Sequence, residues 1–384
     1  MKFLLLLTLA VAAYAAQAPF YDAGENGVKG RYIVVLQDGV DIDATLERLM
    51  TRVATSGLFA SIKSKISLIN AFVSVVPEGG LDILRSLPGV AYVEEDEIIT
   101  ADAAVADSEW GLDRIDQRDL PLDGRMDVKS EGDGAHVYVV DSGIYTDHDD
   151  FGSRASVAAD FIGGDGQDCN GHGTHCAGTA VGNTYGIAKQ ASVYALRTLS
   201  CSGSGYKSDS IDALNWVRDN GQKPGVVSMS LGGSVSTSQN TAVKNCRNAG
   251  YVVVVSAGND DGDACDKSPA SAAEAITVGA TTSSDQRSSF SNYGTCVDIF
   301  APGSSIKSCG ISSKTSTSTK SGTSMSCPHV AGIAAVLGAI QNAEGSYDAE
   351  NVYSAIIDGA SKDKIEDAKD GVLYGTPNLL AYLD

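Results

Sequence analysis

Apolar residues come as short unbroken runs over much of the chain. Ala135 to Val140, Ser192 to Leu196, Val226 to Ser230 and Tyr251 to Ser256 are nearly continuous stretches of this kind. Runs of that length with no polar alternation predict strands covered on both faces. Helical spacing lies between them, over His172 to Val181, Ser208 to Asp219 and Asn240 to Ala249. Buried strands separated by helices predict a parallel sheet in an α/β layered fold, with function just beyond the carboxyl ends of the strands. The Ser/Thr-rich stretch Ser312 to Ser321 is expected as a loop.

The N-terminal part has another texture. Arg31 to Leu36 is a strand candidate, Asp43 to Arg52 has helical spacing, and Asn70 to Val76 alternates as a half-buried strand does. Leu81 to Ser86 predicts a short helix, Pro88-Gly89 a turn, and Val90 to Asp96 a closing strand. That order is βαββαβ-like, a small α+β domain ending in the small and acidic residues of Thr100 to Ser108, which suit a linker. Before it, Lys2, the apolar run Phe3 to Ala13 and the small residues Ala15-Ala16-Gln17-Ala18 have the layout of a secretory signal, with cleavage expected near Ala16 or Ala18. No later stretch is expected to span a bilayer; the best is the run from Val330 to Ile340.

Composition narrows the classes. The 384 residues carry 28 Lys+Arg against 48 Asp+Glu, a formal charge of −20. A protein that grips nucleic-acid phosphates is excluded on that balance. The eight cysteines all lie at or beyond Cys169 and include no CxxC pair, so an exported chain with disulfides fits better than a zinc ribbon.

Three segments carry chemistry. Val139-Val140-Asp141-Ser142-Gly143 delivers a carboxylate at a strand end; Asn170-Gly171-His172-Gly173-Thr174-His175 puts a histidine among small residues at a helix start. Ser321-Gly322-Thr323-Ser324-Met325-Ser326-Cys327-Pro328-His329 puts a serine at a loop-to-helix junction, with Pro328 expected in the first turn. Singly these are a cap, a structural histidine and an N-cap. Together, in the order Asp, His, Ser, they match a nucleophilic triad. The Gly-Thr-Ser-Met context differs from the Gly-x-Ser-x-Gly of esterases.

On these segments the chain resembles the subtilisin-family serine proteases, and within them the proteinase K-like branch. The resemblance implies a subtilisin-like three-layer α/β fold over residues 103–384, an inhibitory propeptide over 19–102 with its core at about 30–100, and a signal peptide over 1–18. It implies a secreted endopeptidase with His172 as base, Asp141 holding its tautomer, Ser324 as nucleophile and Asn259, in Ser256-Ala257-Gly258-Asn259, as oxyanion donor. His175 and His329 are read as structural. Gly203-Ser204-Gly205 and Ser230-Leu231-Gly232 would form the two edges holding an extended peptide, and Ala257-Gly258 would line the primary pocket. Those segments hold no acid, although Asp260 and Asp261 follow, so apolar or aromatic side chains are expected to be preferred. The resemblance also implies disulfides Cys169–Cys201 and Cys265–Cys296 and a free thiol at Cys176 near the triad; it assigns no pairing to Cys246, Cys309 and Cys327, for which buried free thiols and a Cys246–Cys309 bond are the alternatives. Structural Ca²⁺ is implied at Asp113, Asp116, Gln117 and Asp123, and at Asp298 with the carbonyls of Ala273 and Ala275. The expected partners are protein substrates and the chain's own propeptide, cleaved by itself near Thr100 to Ala106; the mature form is expected as a monomer away from membranes.

Overall fold

Alternating apolar positions fold the N-terminal residues into one sheet with two helices on it. The computed structural model describes residues 17–77, 79–101, 110–366 and 374–384. The expected signal segment before residue 17 and most of the expected processing stretch, 102–109, lie outside them. The first of two bodies comprises Met1–Asp22, Lys29–Lys65 and Asn70–Glu95. Its elements are β1 (Phe20–Tyr21), β2 (Gly27–Leu36), α1 (Ile42–Thr55), β3 (Ser61–Ile66), β4 (Ala71–Val75), α2 (Gly80–Arg85) and β5 (Val90–Thr100), with sheet order β1-β5-β2-β4-β3. Asp41 starts α1 by accepting the amide of Ala44 at 2.7 Å, and Leu46, Leu49 and Val53 turn inward onto Val34, Phe72 and Leu84.

The second body comprises Ala23–Val28, Ile66–Ile69 and Asp96–Asp384, so β5 passes into it from Asp96 onward. In chain order it contains α3 (Trp110–Ile115), β6 (His136–Asp141), β7 (Ala155–Asp160), α4 (His172–Val181), β8 (Ser192–Arg197), β9 (Ser204–Tyr206), α5 (Lys207–Asn220), β10 (Gly225–Met229), β11 (Gly233–Ser234), α6 (Thr237–Asn248) and β12 (Val252–Ser256). β13 (Lys267–Ser268), β14 (Ile276–Thr281), β15 (Ile299–Pro302), β16 (Ile306–Cys309), β17 (Thr317–Lys320), α7 (Thr323–Ala343), α8 (Ala349–Gly359), β18 (Ser361–Lys362) and β19 (Leu379–Leu380) follow.

The central sheet runs β18-β19-β15-β14-β12-β10-β6-β8-β7, parallel throughout except for β18 on β19. Successive side chains of its strands face opposite layers. Val137, Val139, Val226 and Val254 join α4 and α7 in one core, whereas Tyr138 points the other way, toward Trp216 on α5 at 6.4 Å between ring centroids. This gives three layers, and every residue of β10, β12 and β14 is buried.

Three expectations change. Helix α7 is longer than the apolar run at Val330–Ile340 indicated. Among the described residues it alone is long and apolar enough to cross a membrane, but 89% of its most apolar window is buried in the protein. Pro328 is not in the first turn but inside the helix. Its missing N–H leaves the Ser324 carbonyl without a helical donor, and the Ser230 hydroxyl (3.0 Å) and Cys176 thiol (3.3 Å) donate to it instead. Part of the Ser/Thr-rich loop is strand β17, paired antiparallel with β16. The structure joins Cys169 to Cys201 and Cys265 to Cys296. It does not join Cys246 to Cys309: both are free and buried, on α6 and β16.

Helices α4 and α7 approach closely at Gly332, where a methyl group would meet Ile187 Cβ at 2.6 Å and the Ala180 carbonyl oxygen at 2.8 Å. Gly332→Ala is therefore expected to lower stability by about 1–3 kcal/mol, an overpacking cost read by urea unfolding.

Candidate active site

The carboxyl end of β6 and the amino end of α4 meet at one carboxylate. Asp168 Oδ1 accepts the hydroxyl of Ser142 and the amides of Asn170 and Gly171, each at 2.9 Å. Its Oδ2 accepts the amide and hydroxyl of Thr174 at 2.9 and 2.6 Å. This loop puts Gly171 at φ 93°, a conformation that favours glycine, and starts the helix at His172. Gly173 lets the helix end reach the strand, since a Cβ there would lie 2.2 Å from the Gly143 carbonyl oxygen. Asp168 escaped the sequence reading as a site residue. An acid four positions before the helix start was the available signal.

His172 Nδ1 then lies 2.8 and 2.9 Å from the two oxygens of Asp141, and both side chains are buried. Burial pushes the imidazole pKa down. The charge of Asp141 outweighs it and holds the pKa well above 6.5. His172 Nε2 is buried with no partner among the described residues. Ser324, the second residue of α7, is 1% exposed, and its hydroxyl donates to the Ser230 carbonyl at 3.2 Å.

Asn259 follows β12. Its Oδ1 accepts the amide of Thr323 at 2.8 Å, which fixes it one residue from Ser324, while its Nδ2 is buried and unpartnered among the described residues. Asn292, not singled out in the sequence, shapes this loop: it donates to the Ala257 carbonyl and accepts the amides of Asp260 and Gly262, all within 3.0 Å. Gly258 sits at φ 98° and donates to the Thr323 hydroxyl at 3.1 Å.

The two expected edges hold a strand of this chain. Ile98, Ile99 and Thr100 pair antiparallel with Tyr206, Gly205 and Ser204, and the Ala101 amide donates to the Gly203 carbonyl at 2.9 Å. On the other side Thr100 bridges Gly232 in both directions. Ser230 and Leu231 are buried, with Ser230 turned toward Ser324. A cavity of about 400 Å³ is lined by Gly232, Ser256, Gly258 and Asp260 among others. Asp260 is paired with Lys267 at 2.8 Å and Asp261 with Arg287 at 2.9 Å, so both acids that follow Asn259 already face a cation; Asp266 also lines the cavity.

The remaining candidates have structural surroundings. His175 Nε2 lies 2.9 Å from the Ile306 carbonyl and His329 Nδ1 lies 2.8 Å from that of Met325. Burial pushes their pKa values down to about 3 and about 4. Cys176 Sγ is 3.9 Å from His172 Nδ1, but burial raises its pKa and keeps it a thiol. Asp141, His172 and Cys176 bring ligand-type atoms within 4.8 Å of one another, which reflects the buried Asp–His pair.

At the acidic loop after α3, Gly124 donates to Asp113 Oδ2 at 2.8 Å, Asp127 to Asp116 Oδ2 at 2.6 Å, and Asp123 to Gln117 Oε1 at 2.9 Å. The second oxygens of Asp113 and Asp116 are buried and have no partner among the described residues. Burial, with the charges of Asp113 and Asp123, raises the pKa of Asp116. Buried carboxylate oxygens left over in this way are the ligand type a hard cation takes. Asp298 offers less, since its oxygens already accept from Thr277 and Tyr353. No hydrogen bond ties Ala273 or Ala275 to it among the described residues.

Residues 132–375 match the model of the subtilase family. The chain belongs to the subtilase family. This subtilase is 48% identical to an extracellular serine proteinase of Thermus sp. (strain Rt41A), over 85% of its own length and 84% of the relative's. It is 39% identical to a cuticle-degrading serine protease of Arthrobotrys oligospora (strain ATCC 24927 / CBS 115.81 / DSM 1491), over 98% of each. A solved cold-adapted subtilisin-like serine proteinase superposes with a TM-score of 0.68 at 44% identity, covering 73% of this chain and 99% of that one. The fold is subtilisin-like and the protein is a serine endopeptidase.

Replacing Asp141 by Asn removes the charge that raises the His172 pKa and leaves the burial that lowers it. In a Ser324→Ala background, an NMR titration of the imidazole is expected to show the midpoint fall from well above 6.5 to below it.

Proposed function

We propose that this subtilase is a secreted endopeptidase that cuts peptide bonds through Asp141, His172 and Ser324, and is made as a self-processing zymogen. The observation that carries the reading is a pair of buried groups with no partner among the described residues, His172 Nε2 on the imidazole held by Asp141 and Asn259 Nδ2 on the amide held by Thr323, the residue before Ser324. An orphaned buried polar atom is costly unless a ligand meets it. The Ser324 proton passes to His172 Nε2 as Oγ adds to the carbonyl carbon, and Asp141 stabilises the imidazolium. The Asn259 amide and the Ser324 N–H then face the oxyanion. Collapse expels the amine, which takes the proton from His172, and water repeats the sequence on the acyl-enzyme.

The strand formed by residues 98–101 between the two edges supports this as the substrate path, with recognition mainly through main-chain hydrogen bonds. It supports residues 19–102 as an inhibitor in place before processing. The junction carries no dibasic sequence, so cleavage by the enzyme itself is favoured over a convertase. The paired states of Asp260 and Asp261 favour apolar or aromatic side chains in the primary pocket. The identities, and the pairing of the matching cysteines, favour the proteinase K-like branch. Ca²⁺ at Asp113, Asp116, Gln117 and Asp123 would stabilise the fold without taking part in the reaction.

Side-by-side expression tests this. The native chain is expected to shorten and to hydrolyse casein, whereas Ser324→Ala does neither; two full-length, inert forms would sink the reading. In the mature enzyme Asn259→Ala is expected to lower kcat about 10²–10³-fold with little change in KM. Calcium at about 100 times its dissociation constant should add about 2.7 kcal/mol of stability. Asp116→Asn should abolish that gain in thermal unfolding, and an unchanged calcium response would place the ion elsewhere.

A further inference from the structure

Three residues upstream of the Thr100–Gly232 bridge, the strand in the cleft carries Glu97, and its carboxylate is held from both edges. Lys207, the first residue of α5 directly after β9, places Nζ 2.6 Å from Glu97 Oε2, with the two side chains 1% and 0% exposed. Ser234, in β11 beyond Gly232, donates its amide to Oε1 at 3.1 Å and its hydroxyl to Oε2 at 2.7 Å. A Cβ at Gly233 would lie 3.1 Å from Glu97 Oε2, so the second edge is cut back where the acid passes. One cation and two neutral donors thus converge on a carboxylate borne by a strand that ordinary main-chain pairing holds. Side chains of an extended peptide repeat every second residue on one side. Glu97 therefore shares its side with the fully buried Ile99.

We propose that Lys207 and Ser234 form a specificity subsite of the mature enzyme for an acidic substrate side chain at the position Glu97 occupies here. The inference rests on the reading that residues 97–101 trace the substrate path. When this strand leaves, Lys207 and the Ser234 donors lose a carboxylate that met all three. A substrate acid restores the same charge-assisted hydrogen bonds. A glutamine reproduces the shape without the charge, and a lysine sets like charges together. Nothing else in the strand's pairing distinguishes these side chains, because β9 and Gly232 bind its main chain.

The test uses the processed enzyme and three peptides with the sequence of residues 94–106, carrying Glu, Gln or Lys at position 97. The expected order of kcat/KM is Glu over Gln by about tenfold, with Lys lowest. Raising the salt to about 1 M should shrink the Glu advantage, since the pair lies in an open cleft once the propeptide is gone. Lys207→Met, which keeps the length of the stem, should make Glu and Gln equal, and Lys207→Glu should favour Lys. Equal rates for Glu and Gln with the wild-type enzyme, or a preference that survives Lys207→Met, would overturn the subsite while casein hydrolysis still upheld the protease reading. Should the variants fail to mature, the wild-type ratio and its salt dependence decide alone. A wild-type enzyme inert toward casein and all three peptides would overturn both.

Discussion

A single buried carboxylate sets the geometry of this site. Asp168 accepts five hydrogen bonds, from the turn after β6, from the loop before α4 and from the first turn of α4. A charge removed from water is tolerable only when its lone pairs are met. That requirement locks the two chain segments together more tightly than packing of glycine and serine could. The Asp141–His172 contact follows from it. Neither side chain needs to search for the other, because strand end and helix start are already tied. The disulfide from the adjacent Cys169 to Cys201 fixes the same loop from outside.

The serine is placed by a different device. Most of helix α7 is buried, and its second turn contains a proline. Elsewhere that would break a helix. Here the carbonyl it deprives belongs to Ser324, and Ser230 and Cys176 take over as donors. One residue's backbone thereby becomes the meeting point of α7, the loop after β10 and α4. The thiol's role is that of a hydrogen-bond donor in the core, which explains a buried free cysteine beside a catalytic-type histidine without giving it any chemistry of its own.

Much of this was legible in the chain. The continuous apolar runs marked β6, β8, β10 and β12 within a residue or two, though not the equally buried β14, and α4 begins and ends where its spacing placed it, at His172 and Val181. Asp141, His172 and Ser324 stood out because glycine and small residues crowd around them, which a close approach of backbones demands. What was not legible depended on partners distant in sequence. Asn292 looks like any loop asparagine until it is seen holding residues 257–262. The strand Ser61–Ile66 hid behind alternate lysines and serines, since only one of its faces packs. Pro328 was read from the rule for isolated helices, which a packed helix can override when neighbouring elements supply the donors.

The main-chain character of the cleft has one more consequence. A groove that recognises the backbone of an extended strand has no means of telling foreign protein from another copy of itself. Survival at high concentration then depends on offering no segment that can unravel far enough to enter. The two cross-linked loops, Cys169–Cys201 and Cys265–Cys296, lie next to the histidine and next to the pocket. The two disulfides thus tether the chain where it would otherwise be its own most accessible food.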